Sequence, residues 1–312
     1  MKQKTLQKTS VIFALCILCC LLWGSAFPFV KIGYNVLKVA DGDTASMVLF
    51  AGVRFFTAGI LAIIIGSFAQ KKPIFPQKTN LVRVLKLSLT QTVAQYFFFY
   101  VGLSNTTGVK SSIINGASSF FSILIACFIF RQEKFTRFKF LGCLLGLSGI
   151  VLVNFDSSLL KLDLSFFGEG FMLFATLTSA LSAVMIKEFS KYENPVVLSG
   201  YQFALGGFIM SIAGLIFGGK LTFDSGFGIV LIIYLGLVSA VAYSLWGILL
   251  KHNTVSRITV FGFMIPVFGF FLSAVILKEG YSVNLLSILS LVLVSLGIYI
   301  VNKFGETKKS VS

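Results

Sequence analysis

The chain has 312 residues, 56% of them hydrophobic and only 12% charged, with a mean hydropathy of +0.94. A soluble domain carries about 25% charged residues because something must face water, so an ordinary soluble globule is excluded. The formal charge of +15 would suit a nucleic-acid binder if it formed one patch, but the Lys and Arg residues fall between apolar runs. No nucleic-acid partner is expected; the solvent is a lipid bilayer.

Lys2, Lys4 and Lys8 precede an apolar run from Val11 that ends in Gly24, Ser25 and Ala26, the outline of a secretory signal. More apolar sequence follows in place of a polar domain, so this segment is read as a first membrane span. A helix rises 1.5 Å per residue and needs about 20 apolar residues to cross the hydrocarbon core. Runs of that size fall at 10–30, 48–69, 82–103, 111–130, 136–154, 166–186, 196–218, 227–250, 258–277 and 284–302. The third is interrupted by Lys86, Gln91 and Gln95. All are expected to be helices, since an open sheet would leave backbone groups unpaired in lipid. The predicted fold is an all-α membrane protein of ten transmembrane helices.

The segments on the N-terminal side of this alternation hold 18 of the 26 Lys and Arg residues, against 6 on the opposite side, with Arg54 and Lys86 left inside runs. Asp41, Asp43, Asp156 and Asp163 lie on the opposite side. Basic residues accumulate in cytoplasmic loops, so both termini are expected in the cytoplasm, at the cell membrane. Cys16, Cys19, Cys20, Cys127 and Cys143 all lie within runs. Cys16 and Cys19 have metal-ligand spacing but no second pair or His cluster, so they are read as packing residues, with no metal.

The two halves echo each other. SSFFSILIACFIFRQE aligns with IPVFGFFLSAVILKE, pairing Glu133 with Glu279 at an offset of 146. LFAGVRFFTAG parallels VLSGYQFALGG, pairing Arg54 with Gln202 at 148, and LLWGSAFPFVK parallels LTSALSAVMIK, pairing Lys31 with Lys187 at 156. The domain division is therefore a tail at 1–10, a first five-helix repeat at 11–154, a second at 166–302 and a tail at 303–312. Five is odd, so the second repeat inserts upside down. Inverted repeats are characteristic of secondary transporters, whose substrate site lies between the halves near the bilayer midplane.

The stretch Trp23-Gly24-Ser25-Ala26-Phe27-Pro28-Phe29-Val30-Lys31 resembles the first-helix signature of EamA-type members of the drug/metabolite transporter superfamily. Arg54-Phe55-Phe56-Thr57-Ala58 is similar to their second-helix pattern. Tyr100-Val101-Gly102-Leu103, with Glu133, Gly142 and Gly149, is similar to the stretch that follows, and Pro266, Glu279 and Gly297 extend the match into the second repeat. The sequence departs from the family where proline is common in the fourth helix: Phe120 stands opposite Pro266, so matched proline kinks are missing. The resemblance implies a secondary transporter, more often an exporter, of a small organic metabolite, amino acid or drug-like solute.

Within the runs, Gln91 and Gln95 stack at i,i+4, and Ser111, Asn115, Ser118 and Ser122 share one helical face. Amides either line a polar pathway or bond across a helix interface, whereas the serines are more often packing residues. Trp23, Tyr96, Tyr243 and Trp246 offer rings and hydrogen-bonding tips; the two tryptophans sit deeper than an interfacial belt. The candidate substrate-binding set is thus Trp23, Gln91, Gln95, Tyr96, Asn115, Tyr243 and Trp246. Lys31, Arg54, Glu133, Pro266 and Glu279 are expected to be structural or gating: Arg54 as a helix anchor within snorkelling reach of its span end, Lys31 and Lys187 as snorkelling residues, Glu133 and Glu279 as caps of the helices that follow them. Gly142 with Gly146, and Gly214 with Gly218, have the spacing of close helix contacts, within one chain or across a homodimer.

No G-x-x-x-x-G-K-[ST] loop occurs. An embedded enzyme needs paired carboxylates, metal ligands or an activated nucleophile, and a channel shows repeated carbonyl loops or charged rings. Neither pattern is visible, so no enzyme and no cofactor are expected, and a passive channel is the weaker alternative. Every acid falls at a span end or in a loop, Glu169 opening the sixth run, so no buried carboxylate is expected to carry a coupling proton.

Overall fold

The computed structural model describes residues 3–106, 108–153, 165–277 and 285–305, which are helical apart from short connections. Glu279, the acids Asp156 and Asp163, and the C-terminal tail beyond Gly305 lie outside the described residues. Helix α1 spans Thr9–Val36 and α2 spans Thr44–Gln70. Helix α3 is composite, with Leu81–Leu87, a π-helical stretch Ser88–Ala94 and then Gln95–Ser104. So is α4, with Gly108–Gly116, Ser118–Leu124 and a π turn Ile125–Ile129. Helix α5 is Arg137–Val153; α6 opens with a π turn Phe166–Gly170 and continues as Phe171–Phe189. Helices α7 and α8 are Pro195–Ile216 and Gly226–His252. Helix α9 joins Val255–Thr259, a 3₁₀ turn Val260–Phe263 and Met264–Leu277, and α10 is Leu285–Phe304.

Among the described residues, α1, α2, α6, α7, α8 and α9 are each long and apolar enough to cross a membrane, and Ile113–Ile129 and Ile288–Phe304 are shorter apolar helices. Local signals set the ends. Asp43 accepts a hydrogen bond from the Ser46 amide at 3.1 Å, capping α2, and the hydrogen bonds from Ser46 hold its carboxyl below the usual range. Asn194 caps α7 in the same way through the Val196 amide at 2.9 Å, with Pro195 at the first helical position.

The halves interlock instead of forming two bodies. Helix α1 packs on α8 and α9 of the second half; its counterpart α6 packs on α3 and α4 of the first. Helix α2 pairs with α7, and α5 with α10. This reciprocal pattern is that of an inverted repeat with a pseudo-twofold axis. Phe55 and Phe203, 148 residues apart like Arg54 and Gln202, stack on one another at 5.2 Å with their rings 6° from parallel, as counterparts beside such an axis must. The α2–α7 crossing needs bare backbone: a Cβ on Gly207 would lie 2.2 Å from the Phe56 nitrogen.

One face of the bundle carries both the start of α1 and the end of α10, and we call it the basal face; the other is the far face. Helix α1 runs from basal to far. Helix α6 runs the other way, since its first turn touches Thr106 through Glu169 and its last turn meets Gln132 through Glu188. The apolar core divides accordingly. One cluster around Cys16, Cys20, Val184 and Phe263 lies toward the basal face, and one around Leu37, Phe50, Phe55 and Leu231 toward the far face.

The absence of a proline at Phe120 does not leave α4 straight. It breaks at Ala117, whose amide bonds the Ile114 carbonyl at 3.1 Å. At the repeat offset of 146 this tightened turn falls on the 3₁₀ turn Val260–Phe263 that precedes Pro266. Both halves therefore carry an interruption at the same register, with Gly116 beside it in one and Pro266 in the other. The glycine spacings act within the chain. Gly142 backs onto Val301 and the Gly297 carbonyl of α10, and Gly214 onto Leu49 of α2. Gly218 instead takes a positive φ of 86° just past α7.

Candidate functional site

A cavity of about 440 Å³ lies between the halves, within the 300–1,000 Å³ range of small-molecule sites. Helix α1 contributes Trp23, Phe27, Lys31 and Tyr34; α2 contributes Arg54. Helix α3 adds Gln91, Gln95, Tyr96, Phe99 and Tyr100, and α4 adds Ser111, Asn115, Ser118, Ser119 and Ser122. The second half supplies Ser179, Ser182 and Ile186 from α6, Ser239, Tyr243 and Trp246 from α8, and Thr259, Gly262 and Ile265 from α9. All seven residues singled out from the sequence as substrate-binding candidates are on this wall, with Lys31 and Arg54 beside them.

One side is aromatic. Trp23 meets Tyr243 at 4.8 Å and Trp246 at 5.1 Å, both edge to face. Tyr243 continues to Phe203 at 4.8 Å, and its phenol lies 3.2 Å from that of Tyr96, which tilts over Phe55 at 4.3 Å. The opposite side is polar. Gln91 sits in the π stretch of α3, which widens the helix and swings consecutive side chains out of register, and Gln95 opens the α-helix that follows. Six polar atoms on the wall are buried without a hydrogen-bond partner: Trp23 Nε1, Tyr34 Oη, Arg54 Nε, Gln91 Oε1, Gln95 Oε1 and Ser111 Oγ. Buried polar groups are almost always satisfied, so a set of orphans facing one void marks a place that a polar solute or water completes.

Arg54 does not snorkel. It is only 7% exposed, its guanidinium carbon lies 4.3 Å from the Phe55 ring centroid and 5.9 Å from that of Tyr96, and its Nε has no acceptor. It is packed among interior helices and lies on the cavity wall. Its repeat counterpart Gln202 is off the cavity wall, fully buried and accepting a hydrogen bond from Thr92 at 2.7 Å. Lys187 does not snorkel either. Its ammonium donates to the carbonyls of Leu250, at 3.0 Å, and Asn253, closing the end of α8.

The cavity stops short of the basal face. Thr259 lines it, and Ser256, one turn away, is held by Glu133 through its amide at 3.1 Å and its hydroxyl. Glu133 also pairs with Lys139 at 2.7 Å, and the two side chains are 2% and 3% exposed. The sequence suggested that Glu133 caps the next helix, α5. It instead caps α9, in the other half, because the interlocked packing brings that helix start closer. Around it, Gln132 donates to Glu188 at 2.8 Å, Asn253 to the Leu6 carbonyl at 3.1 Å, and Asn80 to Glu193 at 3.0 Å. Toward the far face the wall ends at Lys31, Tyr34 and Leu103. Glu169 stands outside the wall, accepting from Thr106 at 2.6 Å and from the Ser165 amide at 2.8 Å and pairing with Lys110 at 3.1 Å. Pro266 borders a small side pocket with Asn115.

Sequence reasoning did not single out Tyr34, Tyr100, Ser179, Ser182, Ser239 or Thr259 as wall residues. Ser182 and Ser122 bond their own helix carbonyls, of Ser179 and Ser118, which is also what a packing serine does; the repeat carried one signal, since at the offset of 156 Ser179 falls opposite Trp23.

The model of the EamA-like transporter family matches residues 10–155 and 166–303. Among similar curated proteins, the probable amino-acid metabolite efflux pump of Salmonella typhimurium is 26% identical over 93% of this chain and 94% of its own. The protein of that same description in Escherichia coli is 27% identical over 93% and 94%, and the uncharacterised transporter YoaV of Bacillus subtilis 24% identical over 93% and 96%. A solved crystal structure superposes with a TM-score of 0.76 at 16% identity, covering 94% of this chain and 96% of that one, which shows a shared fold.

Proposed function

Because the chain belongs to the EamA-like transporter family, we propose that it is a secondary transporter that exports a small organic metabolite, amino acid or drug-like solute across the cell membrane by alternating access. The observation that carries this reading is the blind cavity between two inverted halves, lined by orphaned polar atoms and sealed from the basal face by the Glu133–Lys139–Ser256 cluster. A passive channel needs a continuous path, and that seal weighs against one. The excess of basic residues at the basal side favours a cytoplasmic basal face, so the cavity belongs to an outward-facing state. Export accords with the names of the efflux-pump relatives. No group on the wall forms the paired acid and base that an enzyme requires.

The test is an efflux assay. Cells overproducing the protein are preloaded with a panel of labelled amino acids, organic acids and cationic drugs, and release is timed against cells carrying Asn115→Phe, which fills the cavity. At least one class should leave several-fold faster with the natural chain and not with the variant. Equal release for every class would overturn the proposal.

A further inference from the structure

We propose that the cavity is built for a flat monocarboxylate, with Arg54 binding the carboxylate and the Trp23–Tyr243–Tyr96 wall taking the apolar body. This rests on the transporter reading only in assuming that the cavity is the solute site.

Three observations point to an anion. Among the described residues, Arg54 and Lys31 are the only full charges on the wall, and no carboxylate lines it or pairs with Arg54. A buried guanidinium without a counter-charge is expensive, and in a membrane such a residue normally has a partner. The Phe55 and Tyr96 rings and a hydrogen bond to the Tyr96 hydroxyl supply part of the compensation, but none of these carries a negative charge, and Nε remains unbonded. The second observation is internal to the repeat. Gln202 occupies the corresponding place in the other half, off the cavity wall, where an uncharged amide accepting a bond from Thr92 of α3 suffices. The charge at Arg54 is therefore beyond what the helix pairing requires. The third is the shape of the complement: a guanidinium offers a fork that matches a carboxylate in two parallel bonds. Beside it, the edge-to-face run from Trp246 through Trp23 to Tyr243 presents an aromatic surface suited to a planar body.

The chain contains two tryptophans, and both line the cavity, so their fluorescence reports occupancy in purified protein with no transport step. The probes are 4-nitrobenzoate, a quencher, and its neutral isostere 4-nitrobenzamide, with absorbance corrected. Saturable quenching by the benzoate is expected, at least about tenfold tighter than by the amide, from hydrogen bonds to a charged group. Arg54→Gln should erase that preference, and Arg54→Lys should retain part of it. Non-saturable quenching by the benzoate, equal affinities for the two probes, or a preference that survives Arg54→Gln would each overturn the proposal. A second measurement needs no variant. Phenylglyoxal modification of Arg54, read by peptide mass spectrometry, should be blocked by the benzoate and not by the amide; equal labelling, or no labelling change at saturating benzoate, counts against it. Because binding is read without flux, a transporter that ignores carboxylates and a carboxylate binder that moves nothing give different results.

Discussion

The two halves share a backbone plan and divide the labour of the cavity. The first half brings Arg54 on the unbroken α2 and Gln91, Gln95 and Asn115 on helices broken by π and tightened turns; the second brings Tyr243, Trp246 and small hydroxyls, with α8 running unbroken for 27 residues. Symmetry explains the pairings of α2 with α7 and α5 with α10, while the site lies in the departures from it. A position can keep its architectural duty in one half and take on a chemical one in the other, as Gln202 and Arg54 do.

Exchanging the partners of that pair should produce the largest effect. Gln202→Arg would place a charge where the side chain is fully buried, and a loss of several kcal/mol, on the order of 3–5, is expected. Arg54→Gln should change thermal stability by about 1 kcal/mol or less, because an amide already serves at the equivalent crossing. A melting series of detergent-purified variants decides it, and comparable losses in both would dissolve the distinction between the halves.

Removing Glu133 comes next. Glu133→Ala leaves Lys139, at 3% exposure, without its partner and α9 without its cap, with an expected cost of about 3 kcal/mol. In flux measurements it should also raise leak through the basal seal. If Glu133→Ala melts like the natural chain, the seal is not the buried pair described above.

A milder break is Gly207→Ala at the α2–α7 crossing, where the added methyl would meet the Phe56 backbone; about 1–3 kcal/mol of destabilisation is expected from overpacking. The substitution Gly218→Ala, at a glycine with open space around it, controls for crowding, its own cost coming from the positive φ of 86° alone.

The smallest effect is expected at Glu169. It is ion-paired with Lys110 and off the cavity wall, so Glu169→Gln should leave substrate flux in proteoliposomes equally insensitive to an imposed pH gradient. Uphill transport that is driven by the gradient and abolished by the substitution would make Glu169 the coupling site.

Much of this was legible in the sequence for plain reasons. Apolar runs must be helical in lipid, and the runs at 48–69 and 227–250 lie within Thr44–Gln70 and Gly226–His252. The amides Gln91, Gln95 and Asn115 stood out because nothing apolar explains them. What one chain position does across the bundle was less legible. Glu133 was assigned to the helix after it because sequence neighbours are the default partners, and the interlocking of halves defeats that default. Arg54 was read as a helix anchor because distance was counted from a run beginning at 48, whereas the helix begins at Thr44 and the ring of Phe55 stands beside the guanidinium. The break in α4 carries no proline signal; it lies at Ala117, beside Gly116.

The interlocking also has a consequence for how the protein is made. As the chain leaves the ribosome, α1 is complete long before the helices it packs against, α8 and α9, and α6 must fold back onto α3 and α4 already in the bilayer. Until then the polar faces of Arg54, Gln91 and Asn115 have no cavity to share. The first half is thus an intermediate that carries the chemistry without the enclosure. Two separately translated halves should assemble with each other, each supplying the surface that the other lacks.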